Sequence, residues 1–176
     1  MGSRPMSAVA NPTLALRPML PADLPLLVEI FRASILELTG DDYTEAQQDA
    51  WAAVADDSAA FGKRLAAGLT LIVTLDGSPV GFASLEGVDK LDFMYVHPAV
   101  ARQGAGSMLA DALEKLAHAR GAGKLSVDAS DTARDFFANR GYAAQQRNSV
   151  TLNGEWFANT TMHKVLAQQG AGHGQA

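Results

Sequence analysis

Residues 89–129 carry the feature that most limits what this chain can fold into: a strand, a glycine-marked turn, a helix and a second strand in direct succession. DKLDFMYV (89–96) reads as a strand. VHPAVARQGAG follows with one proline and two glycines, and a helix then runs from about 104 to 120. Leu109, Ala112, Leu113 and Leu116 form its apolar face, Gly121 closes it, and KLSVDAS (124–130) is extended again. A strand–helix–strand unit of this kind crosses over right-handed, so its two strands are parallel. Hairpins flank the unit. Residues 69–75 and 80–86 are strands around the turn Asp76-Gly77-Ser78-Pro79, and the segment after Tyr142 splits into two strands at Asn153-Gly154. Upstream, TLALRPM (13–19) is a strand, and Leu27, Ile30, Phe31, Ile35 and Leu38 recur at helical spacing. Two short helices follow, with Thr44 and Ser58 as N-caps. The result is an α+β (mixed α/β) domain with a mostly antiparallel sheet and one crossover.

Composition narrows the function. The formal charge of −5 gives no general pull toward nucleic acid or an anionic membrane surface. The chain contains no cysteine, which removes disulfides, thiolate catalysis and Cys-ligated zinc. His97, His118, His163 and His173 are too scattered for a metal site, so no metal is expected. No apolar run approaches the roughly 18 residues of a membrane span, and no signal-peptide core opens the chain. The expectation is a cytoplasmic protein with a domain over 13–168, a flexible leader over 1–12 and a flexible tail over 169–176. Within the central helix, Asp111 with Lys115 and Glu114 with His118 are spaced as i,i+4 pairs.

Gly104 and Gly106 stand where the helix must start, although glycine costs about 1 kcal/mol relative to alanine in a helix interior. Two readings are open. A helix N-terminus offers unpaired N–H groups and partial positive charge, and glycines there let a phosphate approach the backbone, with Arg102 beside it. Alternatively, the glycines only let the turn pack closely on the sheet. Rival phosphate motifs fit worse: Ser107 and Met108 replace the Lys-Ser/Thr of a P-loop, and Leu109 stands where a dinucleotide fingerprint wants its third glycine.

YVHPAVARQGAGSMLADALE, with KLSVDASDTARDFFANRGY downstream and the strand order upstream, resembles the GNAT superfamily of acyl-CoA N-acyltransferases over about residues 13–166. The resemblance implies a central twisted sheet of about seven strands and acetyl-CoA as acyl donor. It implies that Arg102, Gln103, Gly104, Ala105, Gly106 and Ser107 hold the diphosphate. The backbone of Met94, Tyr95 and Val96 would pair with the pantetheine arm. The family's loop carries Gln or Arg where this chain has Ala101, a departure that touches one side-chain contact and leaves the backbone cradle. The frequent family tyrosine, four residues before the helix-ending glycine, falls on Phe137, which can pack beside the sulfur but cannot protonate it. Tyr142 and Tyr43 are the other tyrosines for that role. Asp131 or Ser130 stands where relatives place a cofactor-contacting Asn, and Asp131 also reads as an N-cap.

For a catalytic base, strand alternation puts Asp92, Met94 and Val96 on one face, with Phe93 and Tyr95 on the other. Asp92 is the base or relay on this reading, unless it merely pairs with a neighbour such as Lys90. Glu86 ends the adjoining strand and is a second choice, and Asp128 on the parallel strand a third. Tyr43 and Trp51, near Asp41 and Asp42, would line the acceptor side and favour a cationic amine, with Trp51 in the core as the alternative. The expected activity is transfer of an acetyl group to a primary amine of a small molecule. A protein or peptide amine, or a non-catalytic acyl-CoA-sensing module, are the alternatives, and a homodimer is the weaker inheritance from the family.

Overall fold

The computed structural model describes residues 13–167. The elements are β1 (Leu14–Pro18), α1 (Leu24–Leu38), α2 (Glu45–Ala52), α3 (Ser58–Ala67), β2 (Leu69–Leu75), β3 (Ser78–Glu86), β4 (Lys90–Val96), α4 (Ala105–Ala119), β5 (Lys124–Ser130), α5 (Arg134–Asn139), β6 (Ala143–Leu152) and β7 (Glu155–Val165). The expected leader, and all of the expected tail, lie outside the described residues.

Seven strands form one sheet in the order β1-β2-β3-β4-β5-β7-β6, antiparallel throughout except for β4 with β5. Local chemistry explains the joints. Asp76 and Gly77 both take positive φ in a two-residue hairpin turn, as do Asn153 and Gly154. β3 therefore starts at Ser78 rather than residue 80. Thr44 caps α2 in a reciprocal box with Gln47. Asp57, not Ser58, caps α3 by accepting from the Ala60 N–H, which makes Ser58 the first helical residue.

Each face of the sheet carries a core. On one, α4 buries Leu109 and Leu113 against Val73, Leu85, Leu91, Leu125 and Met162. On the other, α1 and α3 bury Leu27, Phe31, Ile35, Phe61 and Leu65 against Ile72, Phe82 and Phe93. Truncating one such fully buried leucine to alanine costs about 2–5 kcal/mol.

The pairs expected on α4 form differently. Asp111 binds Arg140, at 2.5 Å, rather than Lys115. Glu114 is buried and receives Arg140 at 2.9 Å, Lys164 and the Tyr142 hydroxyl, not His118. Helical spacing finds neighbours on one helix. Here α4's polar edge faces α5 and β7, and their cations reach it first.

Candidate active site

Two irregularities of β4 create the site. The first is a bulge opposite β3: Ser84 pairs with Phe93 and Leu85 with Leu91, so Asp92 has no partner in the register. The Ser84 hydroxyl fills the gap by accepting from the Phe93 N–H at 3.2 Å. A bulge bends its strand and shifts the side chains beyond it by one position. Leu91, Met94 and Val96 therefore pack with the α4 core, while Phe93 and Tyr95 join the α1–α3 core. Asp92 does not share the face of Met94 and Val96, contrary to simple alternation. Its carboxylate is gripped by Arg64 of α3 through contacts of 3.0 and 2.7 Å, with the guanidinium stacked on Phe93.

The second irregularity is that β4 and β5 pair only at Lys90 with Ser126 and Leu91 with Val127. Beyond those residues the two parallel strands separate, leaving the β5-facing backbone of the remaining β4 without a strand partner. A cavity of about 160 Å³ fills the opening. Asp92, Met94 and Tyr95 line it from β4, Asp128 and Ser130 from β5, Ile35 from α1, Thr39 just past its end, and Phe137 from α5.

Met94 also borders a larger hollow of about 450 Å³ with Val96, Arg102, Gly104, Gly106, Ser107 and Phe136. This is the turn before α4. Gly104 takes φ +90 at the N-cap, and Arg102 takes φ +65, a conformation non-glycine residues rarely adopt. Met108 is the first residue of the helix whose N–H finds a carbonyl, that of Gly104. Among the described residues, the N–H groups of Gly104, Ala105, Gly106 and Ser107 have no acceptor, so they and the helix dipole present positive charge at the hollow. A Cβ built on Gly106 would come no closer than 3.6 Å to Phe136, and one on Gly104 would meet nothing within 4 Å. Close packing therefore does not explain the glycines. The space beside them suits a diphosphate lying on the backbone. Gln103 is exposed, its side chain reaching the Ala99 carbonyl at 3.4 Å, and Ala105 is buried in the core, so neither side chain borders the hollow.

On the opposite side, Tyr43, Trp51, Tyr95 and Phe157 line a third cavity of about 160 Å³, bordered by Val150 and Leu152 of the last hairpin. It shares Trp51, Tyr95, Asp128 and Ser130 with the cavity between the strands. Trp51 is thus a wall residue as well as a ring packed on the core. Trp51 Nε1 donates to the Tyr95 hydroxyl at 3.2 Å, and burial pushes the Tyr95 pKa far above the usual tyrosine value. The Tyr43 hydroxyl accepts from the Asp131 N–H at 2.9 Å and donates to the Ala158 carbonyl at 3.3 Å, and burial raises its pKa too.

The remaining residues singled out in the sequence fall elsewhere. Glu86 is exposed at the closed end of the β3–β4 ladder, 3.9 Å from Lys90, and borders none of these three cavities. The Asp131 side chain forms a two-pronged pair with Arg147, whose hydrogen bonds hold its carboxyl below the ordinary range. It caps no helix, because α5 begins only at Arg134 with Ala133 before it. Ser130 is the member of that pair that reaches the cavities. Tyr142 lies under α4 against Glu114, away from the opening. Asp128, the third choice from sequence, is the carboxylate common to both cavities on the strand side. Thr161 donates to it at 2.7 Å and Lys90 stands 3.5 Å away.

Three hollows around a splayed parallel strand pair, with a glycine-rich helix start at one end, match the arrangement that the resemblance to acyl-CoA N-acyltransferases implies. Comparison with known proteins agrees. A family model for the acetyltransferase (GNAT) domain matches residues 39–166, and the chain belongs to that family of N-acetyltransferases. It is 31% identical over 143 residues to the uncharacterized N-acetyltransferase YafP of Escherichia coli K12, spanning 81% of this chain and 89% of YafP. A GCN5-related N-acetyltransferase from Rhodopseudomonas palustris superposes with a TM-score of 0.86 at 59% identity, over 94% of this chain and all of that one. The PaiA N-acetyltransferase of Thermoplasma acidophilum, solved with coenzyme A, shares the fold at a TM-score of 0.72 and 17% identity, over 87% of this chain and 99% of that chain.

Proposed function

We propose that the protein transfers the acetyl group of acetyl-CoA to the primary amine of a small molecule, with the chemistry at the junction of the two smaller cavities. The observation that carries the reading is their shared wall: Asp128, Ser130, Trp51 and Tyr95 border both the space between β4 and β5 and the aromatic cavity. A donor and an acceptor entering from opposite sides meet there.

The free N–H groups at the start of α4, with Arg102, hold the diphosphate. The unpaired edge of β4 from Met94 to Val96 holds the pantetheine arm as an added strand would. Bound acetyl-CoA supplies a thioester whose carbonyl carbon the amine attacks. Asp128 draws the protonated amine in and takes its proton, which passes on to solvent. The nitrogen then bonds to the acetyl carbon as the C–S bond breaks, and the proton released from nitrogen balances the one the departing thiolate gains from water. Tyr95 remains protonated because burial raises its pKa, so it acts as a neutral hydrogen-bond donor to developing negative charge rather than as a proton source. Phe137 packs against the open strand pair and keeps water from its inner end.

The test is steady-state release of free thiol by Asp128→Asn. General-base loss should lower kcat by about 100-fold or more with acetyl-CoA affinity within a factor of about two. Asp92→Asn, which breaks the Arg64 pair, should cost less than about tenfold. The reverse ranking would return the role to Asp92.

A further inference from the structure

The aromatic cavity also has a charge pattern, and that pattern selects among amines. Building on acetyl transfer at this junction, we infer that the acceptor is a primary monoamine whose body is a single aromatic ring or an equally compact apolar group, not a polyamine or a protein lysine.

Three observations carry this. First, the cavity is ring-sized: its volume of about 160 Å³ is close to that of the roughly 150 Å³ apolar cavities that take up benzene. Second, its wall is a rigid array of rings. Tyr43 and Trp51 meet edge to face with centroids 5.3 Å apart, and Trp51 meets Phe157 in the same way at 6.2 Å. Hydrogen bonds lock the array, since Tyr43 is tied to Ala158 and Asp131 and Trp51 to Tyr95. Faces and edges so arranged receive another ring at offset or edge-on geometry without rearrangement.

Third, the charge is at one end only. Asp128 is the one carboxylate among the lining residues, and it lies on the side shared with the space between the strands. The part of the wall away from that space consists of Tyr43, Val150, Leu152, Phe157, Ala158 and the amide of Asn159. A second ammonium, as in a polyamine, would find no carboxylate partner among those residues. A lysine side chain would bring its peptide backbone to the rim and leave the ring-shaped space unfilled.

The experiment measures thiol release from acetyl-CoA with 2-phenylethylamine, spermidine and a lysine-containing peptide, for the wild type and Val150→Glu. Val150 is 41% exposed on β6, so the variant should fold with an unchanged unfolding temperature. The expected result is a kcat/KM for 2-phenylethylamine at least tenfold above that for either other amine. In Val150→Glu the ratio should move at least fivefold toward spermidine, because the added carboxylate gives its distal ammonium a partner. Turnover that favours spermidine or the peptide overturns the acceptor class and leaves acetyl transfer standing. A ratio unmoved by Val150→Glu removes the acceptor from the β6 wall and also overturns the inference. No thiol release with any amine, while acetyl-CoA still raises the unfolding temperature, overturns amine transfer itself and this inference with it.

Discussion

Gly106 separates two explanations of the glycine pair at the start of α4. If the residue were needed for packing, an added methyl would clash. Its nearest neighbours would be carbons of Phe136 at 3.6 Å, an ordinary contact. That methyl would instead project into the hollow bordered by Val96, Arg102 and Phe136. Gly106→Ala should therefore fold with an unfolding temperature equal to or slightly above the wild type, since alanine is the better helix residue by about 1 kcal/mol. Its acetyl-CoA dissociation constant should rise at least tenfold, as calorimetric titration would show. A stable variant with unchanged affinity would return Gly106 to a purely architectural role. Asp92 and Asp128 differ in the same residue-by-residue way. Both are acidic residues in strands beside the site, and a sequence cannot separate them by type. What separates them is a partner: Arg64 occupies both oxygens of Asp92, while Asp128 is left to Thr161 and a more distant Lys90.

At the scale of elements, the sheet and helices follow from patterns readable in the chain. The β5 sequence LSVDA alternates cleanly, so Leu125, Val127 and Ala129 face the α4 core and Asp128 the other side, as periodicity dictates. β4 defies the same rule because of its bulge. A bulge arises from register with a partner strand, and neither β3 nor β4 announces it alone. One skipped residue reverses the face of everything beyond it, which is why Asp92 reads in sequence as sharing the face of Met94 and Val96, whereas in the structure it turns to Arg64 of α3 while still lining the cavity between the strands. The cluster beneath α4 was hidden for a related reason: Arg140 and Lys164 reach Glu114 only after α5 and β7 dock. Glu114 is buried and is the common anchor of Arg140, Lys164 and Tyr142. Glu114→Ala should leave the Arg140 guanidinium, itself 16% exposed, with only Asp111. A loss of about 3 kcal/mol is expected for breaking a buried pair, or roughly 6–12 °C in unfolding temperature. Differential scanning calorimetry measures it, and a shift under about 2 °C would mean that water replaces the pair at no cost.

For the whole molecule, the arrangement links three hollows through one break in the sheet. The hollow before α4, the proposed diphosphate seat, is foreshadowed in the sequence because glycines at a strand–helix junction are local signals. The proposed acceptor cavity is legible there only as a region. Tyr43 and Trp51 are named by their chemistry, but Val150, Leu152 and Phe157 join them through the folding back of the last hairpin onto α2, held by Asn153 on the Ala50 carbonyl at 2.8 Å and Gln47 on the Trp156 carbonyl at 2.7 Å. Such contacts span about a hundred positions of chain, and no local pattern encodes them. Among the described residues no helix is long and apolar enough to cross a membrane. The open strand pair and the α4 turn are proposed to form one continuous seat for acetyl-CoA, and thermal unfolding with and without that ligand tests this most directly. At a ligand concentration about 100 times the dissociation constant, stabilisation should reach about 2.7 kcal/mol, a rise of roughly 5–11 °C, matched by coenzyme A and not by NAD. An unfolding temperature unmoved by millimolar acetyl-CoA and coenzyme A would contradict a seat for that ligand along β4 and the α4 turn.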